Sequence, residues 1–327
     1  MRMGSATDGS EAGNRTAATG VYRSMPTMTS RASARTPLLL SVAGLLLVPG
    51  AALAQSPAAS PAAECVPGQV GTIDHPTGCT DIVLRMDSMG GFVPLEWNLI
   101  ATPSFTLYGN NVAIFRPQPA DGMFPGPGEP QVPLQQAPLT PEQVDALLTY
   151  ALGPGGLANA NAEYFNPLIA DAPTTVFTID AGGVDKTVSA TALGMDDPSN
   201  PDAAILAQLA GLQDLLDSFE EQADQVESIA PYEPAAYRGM LTQVWEGATD
   251  KAIEWPWPDV TLEDFVAPPD NVARYAELTP EQVAAVTEIP SGGIMNVRVT
   301  APDGSDWYLN IRPLLPGESY LPDGVTV

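Results

Sequence analysis

Among the residues that could perform chemistry, the carboxylates are abundant and the rest are scarce. The chain has 39 Asp and Glu, 13 Lys and Arg, a single histidine (His75) and two cysteines, Cys65 and Cys79. A Ser-His-acid device would have to use His75, which stands in a Gly/Pro-rich stretch, and no Gly-x-Ser-x-Gly elbow is present to hold a nucleophile. His75 reads as an exposed loop residue. A zinc site built from Cys65, His75 and Cys79 would lack a fourth ligand. Phe177-Thr178-Ile179-Asp180-Ala181-Gly182 resembles an aspartic-protease loop only faintly. It has no hydroxyl residue after Asp180 and no second copy to share a proton. Glycoside hydrolysis asks for two carboxylates at a set separation in a cleft, which composition alone permits. Trp255 and Trp257 are the candidate platform for a sugar ring or another ligand, although a Trp-Pro-Trp-Pro run more often pins a connection to a core.

No dinucleotide fingerprint, phosphate loop or EF-hand ladder occurs, so no cofactor and no metal ligand is expected. Asp303-Gly304-Ser305-Asp306 reads as turn chemistry. Arg312 is expected to stack on an aromatic ring or to pair with Glu318.

The net charge is −26. Residues 1–54 hold five arginines and two acids, which leaves 8 basic and 37 acidic side chains, a net −29, in the remainder. Such a surface repels nucleic acid and anionic lipid headgroups. It invites cations or a basic partner.

The N-terminal part reads as a secretory leader. Arg31 and Arg35 precede an apolar run from Leu38 to Val48, and Ala52-Leu53-Ala54 forms a small-x-small site. Cleavage is expected after Ala54, with translation starting at Met25 or Met28. Residues 55–64 then form an Ala/Pro/Ser tether. Two cysteines in an exported chain predict one disulfide, Cys65–Cys79.

The elements that must position everything else follow from pattern. Ile82 to Met86 reads as a strand. Phe105–Tyr108 and Val112–Phe115 flank a Gly109-Asn110-Asn111 turn, and a second hairpin surrounds Gly182-Gly183. Residues 116–138 read as a loop. Thr140-Pro141-Glu142-Gln143 opens a helix with a capping box. A longer helix is expected from about Pro201 to Glu227, with a seam of Ile205, Leu209, Leu212, Leu216, Phe219, Ala223 and Val226. The hexamer Leu139–Val144 recurs letter for letter at Leu278–Val283, and a hairpin is predicted over Ile294–Thr300 and Trp307–Ile311. A duplicated helix-then-hairpin unit is one reading of this recurrence.

These elements predict an α+β fold of antiparallel hairpins packed with two or three helices. The main domain would run over 65–229, an aromatic and Pro-rich connector over 230–275, and a C-terminal helix-hairpin unit over 276–327.

Four blocks resemble an uncharacterised family of secreted or lipid-anchored bacterial proteins. They are Gly90-Gly91-Phe92-Val93, Pro103 to Gly109, Ala170 to Thr175, and Ile311 to Glu318. The family usually has Asp where this chain has Asn110, and its anchored members carry a lipid-accepting cysteine that is missing here. The resemblance implies an exported protein and carries over no catalytic residue.

The favoured functional expectation is a non-enzymatic binding or structural domain, cell-surface or extracellular, with an unknown partner. The alternatives are a carboxylate-based extracellular hydrolase acting on glycans and a calcium-stabilised surface protein. A cleft with two converging carboxylates of raised pKa would favour the hydrolase.

Overall fold

The computed structural model describes residues 65–322 apart from 120–124, 167–168, 196–198, 222–225, 227 and 270–272. The expected leader and the 55–64 tether lie outside the described residues. Strand formation dominates the rest. The first sheet contains β1 (Ile82–Gly90), β2 (Phe105–Tyr108), β3 (Val112–Phe115), β4 (Gln135–Pro138), β5 (Glu163–Tyr164), β6 (Pro173–Ala181), β7 (Val184–Thr191) and β8 (Ala230–Pro231). Its spatial order is β5-β7-β6-β1-β2-β3-β4-β8. The second sheet contains β9 (Tyr237–Gln243), β10 (Ile253–Glu254), β11 (Ala273–Leu278), β12 (Ile294–Thr300) and β13 (Asp306–Pro313), in the order β10-β12-β13-β9-β11. Pairing is antiparallel except for β5 with β7 and β10 with β12, which makes both sheets mixed.

The predicted hairpins form where the turn residues allow them. Asn111 takes the left-handed conformation (φ 61°) between β2 and β3, and Gly182 and Gly183 (φ 59° and 76°) turn β6 into β7.

Four α-helices occur among the described residues: α1 (Leu95–Ile100), α2 (Pro141–Leu152), α3 (Ala203–Asp217) and α4 (Pro280–Ala284). The expected α+β class is therefore wrong; the molecule is mostly β-sheet, with four short helices as accessories. Two physical reasons account for the error. The helix expected to reach Glu227 ends at Asp217, where the Ser218 hydroxyl bonds back to the Asp214 carbonyl at 2.6 Å. The connector 230–275 in turn supplies β8, β9, β10 and β11. β9 is central and buried on both faces, so its sequence shows no apolar-polar alternation. Likewise, residues 116–138 contain β4 within the expected loop.

The repeated hexamer starts a helix both times. Thr140 and Thr279 each accept from the backbone N–H three residues on, and Gln143 and Gln282 reach back to the cap N–H at 2.7 and 2.8 Å. Only α2 propagates. After α4 come the β-branched Val286 and Thr287 and then Pro290, which pushes its predecessor out of helical conformation.

The main core lies between α2, α3 and one face of the first sheet. Leu84, Met86, Phe105, Phe177 and Ile179 meet Val144, Leu148, Leu209, Leu212 and Leu216. Each such buried leucine contributes roughly 1.5–3 kcal/mol. The ring of Phe219 closes the end of this core edge-on against Phe105 and Phe115, with centroids 4.9 and 5.1 Å away.

A second core fills one face of the second sheet, where Leu241, Leu309 and Ile311 pack against Val283, Phe265 and Trp257. The opposite face of that sheet carries Met240, Tyr275 and Met295, and Ile100 of α1 packs on it. The loop ahead of β4 docks directly on the second sheet. A Cβ at Gly292 would come within 1.9 Å of the Gln131 carbonyl, so only glycine permits this approach. Gln131 N–H in turn bonds the Gly293 carbonyl at 3.0 Å.

Candidate functional site

Strand alternation determines what meets between the sheets. Met86 points into the helix-covered core, and so do Ser88 and its register partner Thr175, whose hydroxyl bonds Gln213 of α3 at 3.2 Å. Arg85 and Asp87 therefore project from the other face. Arg85 donates there to Thr106 Oγ1 (3.2 Å) and to the Tyr108 hydroxyl (3.3 Å). From the second sheet, Leu309 and Ile311 point into its own core, so Asn310 and Arg312 point away from it. Arg312 pairs with Glu318 at 3.1 Å, one of the two roles expected from the sequence.

β1 outruns β2. Residues 87–90 pair only with β6, while the β2 side ends at Met86 opposite Phe105. That gap opens a cavity of about 400 Å³, walled by α1, the end of β3, Gln131, and Gln213 and Asp217 of α3. Its volume lies in the range of small-ligand sites.

Three ionisable side chains line this cavity: Asp87, Arg116 and Asp217. Burial raises the Asp87 carboxyl above its ordinary value; Glu318 adds to the rise, and Arg85 and Arg312 oppose it. Burial also raises Asp217, against a hydrogen bond from Gln213. Arg116 leaves the end of β3 and donates to Thr102 Oγ1. It forms no ion pair with a described carboxylate. Burial, reinforced by the nearby charge of Arg312, depresses its pKa to about 10. Arg312 keeps two further donors, Nε and Nη1, buried and without a partner, although its side chain is only 7% exposed.

The two acids reach the cavity from opposite faces of the first sheet, since Asp87 faces the second sheet and Asp217 belongs to α3. Neither is among the charges that shift the other. Paired catalytic carboxylates would feel one another strongly. The geometry lends no support to glycoside hydrolysis here.

The other residues singled out from the sequence lie elsewhere. Trp257 is 5% exposed and its indole N–H donates to the Gln282 carbonyl at 2.7 Å. Trp255 donates to the Val260 carbonyl at 2.6 Å and meets the Trp257 ring edge-on, with centroids 5.3 Å apart. Both rings belong to the second core. His75 is buried rather than exposed. Its Nδ1 lies 2.7 Å from the Pro76 carbonyl, and its Nε2 has no partner. The sequence gives no hint of that burial, because the cover comes from distant segments. Asp303 accepts from Ser305 N–H at 2.9 Å within a tight turn, and Asp306 pairs with Arg298 at 2.6 Å. Among the described residues, no group of three or more His, Cys, Asp or Glu is placed to hold a metal ion.

Sequence reasoning missed Arg116, Asp87 and Asp217. The only signal was statistical, since basic residues are few enough in this chain for each to be examined.

Cys65 and Cys79 lie at disulfide distance, with Cα atoms 5.9 Å apart, compatible with an extracellular protein. Among the described residues, no helix is long and apolar enough to cross a membrane. A second depression of about 630 Å³ beside this pair has no ionisable side chain in its lining.

Three of the blocks that carry the family resemblance reach the first cavity, through Gly90 and Val93, Ser104, and Pro173 and Thr175; the fourth holds Arg312 and Glu318. No protein family, curated protein or solved structure matches this chain in the comparisons with known proteins.

Proposed function

We propose that this is an exported binding protein, its leader removed after Ala54, that holds a small polar ligand in the cavity beside the end of β1. One observation carries the reading. The cavity is lined by a half-buried guanidinium, Arg116, that forms no ion pair with any described carboxylate. A partly desolvated charge with no ion-pair partner is unfavourably solvated, and a ligand that supplies the missing interactions offsets that cost. The Cys65–Cys79 pair supports an oxidising destination.

The test is a thermal-shift screen of the full-length chain against small polar metabolites. A ligand of the native state must raise the melting temperature. The shift should vanish in Ala101→Trp, which plugs the cavity. If no compound shifts the transition, or if the plug leaves every shift intact, the proposal fails. Intact-mass measurement of secreted material should show a chain beginning at Gln55.

A further inference from the structure

We infer that the ligand is a monoanionic hydroxylated carboxylate of the sugar-acid class, with its carboxylate seated on the Arg116 guanidinium. This assignment rests on the binding reading above and narrows it to one chemistry.

The first argument is charge. Arg116 is one of 8 basic residues facing 37 acids beyond residue 54, so available carboxylates are plentiful, yet it pairs with none that is described. Glu318, on the same side of the sheets, is engaged by Arg312 at 3.1 Å. Thr102 uses one arm of the Arg116 fork. The remaining N–H groups stay available to the cavity, in the planar geometry that a carboxylate matches with two parallel hydrogen bonds. The nearby charge of Arg312 adds positive potential at Arg116.

The second argument limits the ligand to one negative charge. Asp87 and Asp217 share the lining, and a dianion such as a phosphate monoester would meet both while having a single guanidinium to neutralise it. The third argument concerns the rest of the molecule. Gln118 and Ser104 make no side-chain hydrogen bond with any described residue, and they offer donors and acceptors suited to hydroxyl groups. Trp97 and Ile100 of α1 supply an apolar wall on which the C–H face of a sugar ring can rest.

Calorimetric titration of the full-length chain with glucuronate, glucose and glucose 6-phosphate tests the assignment. Glucuronate should bind about tenfold or more tighter than glucose, the effect of one charge-assisted contact, and tighter than glucose 6-phosphate. Arg116→Gln should erase the preference for the acid, whereas Arg116→Lys should keep part of it. A cooperative melt of each variant separates lost binding from lost folding. Equal affinity for acid and neutral sugar, a preference for the phosphate, or an unchanged preference in Arg116→Gln would overturn the inference. If glucose binds as tightly as glucuronate and Ala101→Trp abolishes it, the cavity reading stands and the anion falls. Silence with all three sugars sinks the sugar-acid assignment, and the metabolite screen then decides the broader reading.

Discussion

The loop 65–79 and the cavity beside the end of β1 treat polar groups in opposite ways. In the loop, Asp145 of α2 accepts Thr72 N–H at 2.7 Å, the Thr72 hydroxyl at 2.8 Å and Ile73 N–H at 2.9 Å. These bonds hold its carboxyl below the ordinary range. Asp264 and Asp303 behave alike in their own turns. In the cavity, Asp87 and Asp217 are raised by burial and Arg116 forms no ion pair with a described carboxylate; outside its lining, Arg312 keeps two donors unmatched. A carboxylate saturated by backbone N–H groups is explained by the fold that surrounds it. Charge that is desolvated and unmatched has no such explanation, and that difference is what separates a structural site from a candidate binding site.

The comparison is sharpened by breaking one side at a time. Replacing Cys65 and Cys79 by serine opens a loop of sequence separation 14 and should cost about 2–4 kcal/mol in urea unfolding. Binding in the cavity should survive, because the loop contributes nothing to its lining. Thr140→Ala removes the cap of α2, the helix that carries Asp145, and should cost about 1 kcal/mol. Thr279→Ala breaks the same box at the start of a five-residue helix and should cost less, which equilibrium unfolding of the two variants side by side can decide.

Protonation gives the next test. Asp145, Asp264 and Asp303 have folded pKa values below 3.8. Their contribution is complete above that value and is lost as pH falls below it. Asp87 and Asp217 have folded pKa values above 3.8. Their charged forms weaken the native state at neutral pH, and stability recovers as pH falls through their folded pKa toward 3.8. Melting temperature should therefore rise on mild acidification and turn down below about pH 4. The smallest effect belongs to Asp87→Asn. It should leave the stability at neutral pH level or slightly higher and flatten the acid-side rise, whereas Asp145→Asn should lower the melting temperature at neutral pH. A destabilised Asp87→Asn with an unchanged acid limb would erase the contrast between the two regions.

What the sequence shows and hides follows the range of the forces involved. Turns at Gly109-Asn110-Asn111 and Gly182-Gly183, both capping boxes and the Arg312–Glu318 pair are set by neighbours a few residues apart, and they read directly. β9 hides because both of its faces are buried by segments remote in the chain. The end of α3 hides because the apolar seam continues into Phe219, which packs in the same core from a 3-10 turn beyond the α-helix. The cavity is the extreme case. Asp87, Arg116 and Asp217 come from three elements spread over 131 positions, and only the early end of β2 beside β1 brings them to one opening.

The sheet borders have a consequence for the chain at high concentration. β5, β8 and β10 are each two residues long, and the outer side of β11 is covered by paired hydrogen bonds between Val266 and Tyr275, both at 2.8 Å. At these outermost strands a neighbouring copy finds only a short ladder on which to add a strand. Strand addition at these outermost strands is thus limited to short ladders, which disfavours edge-to-edge recruitment there.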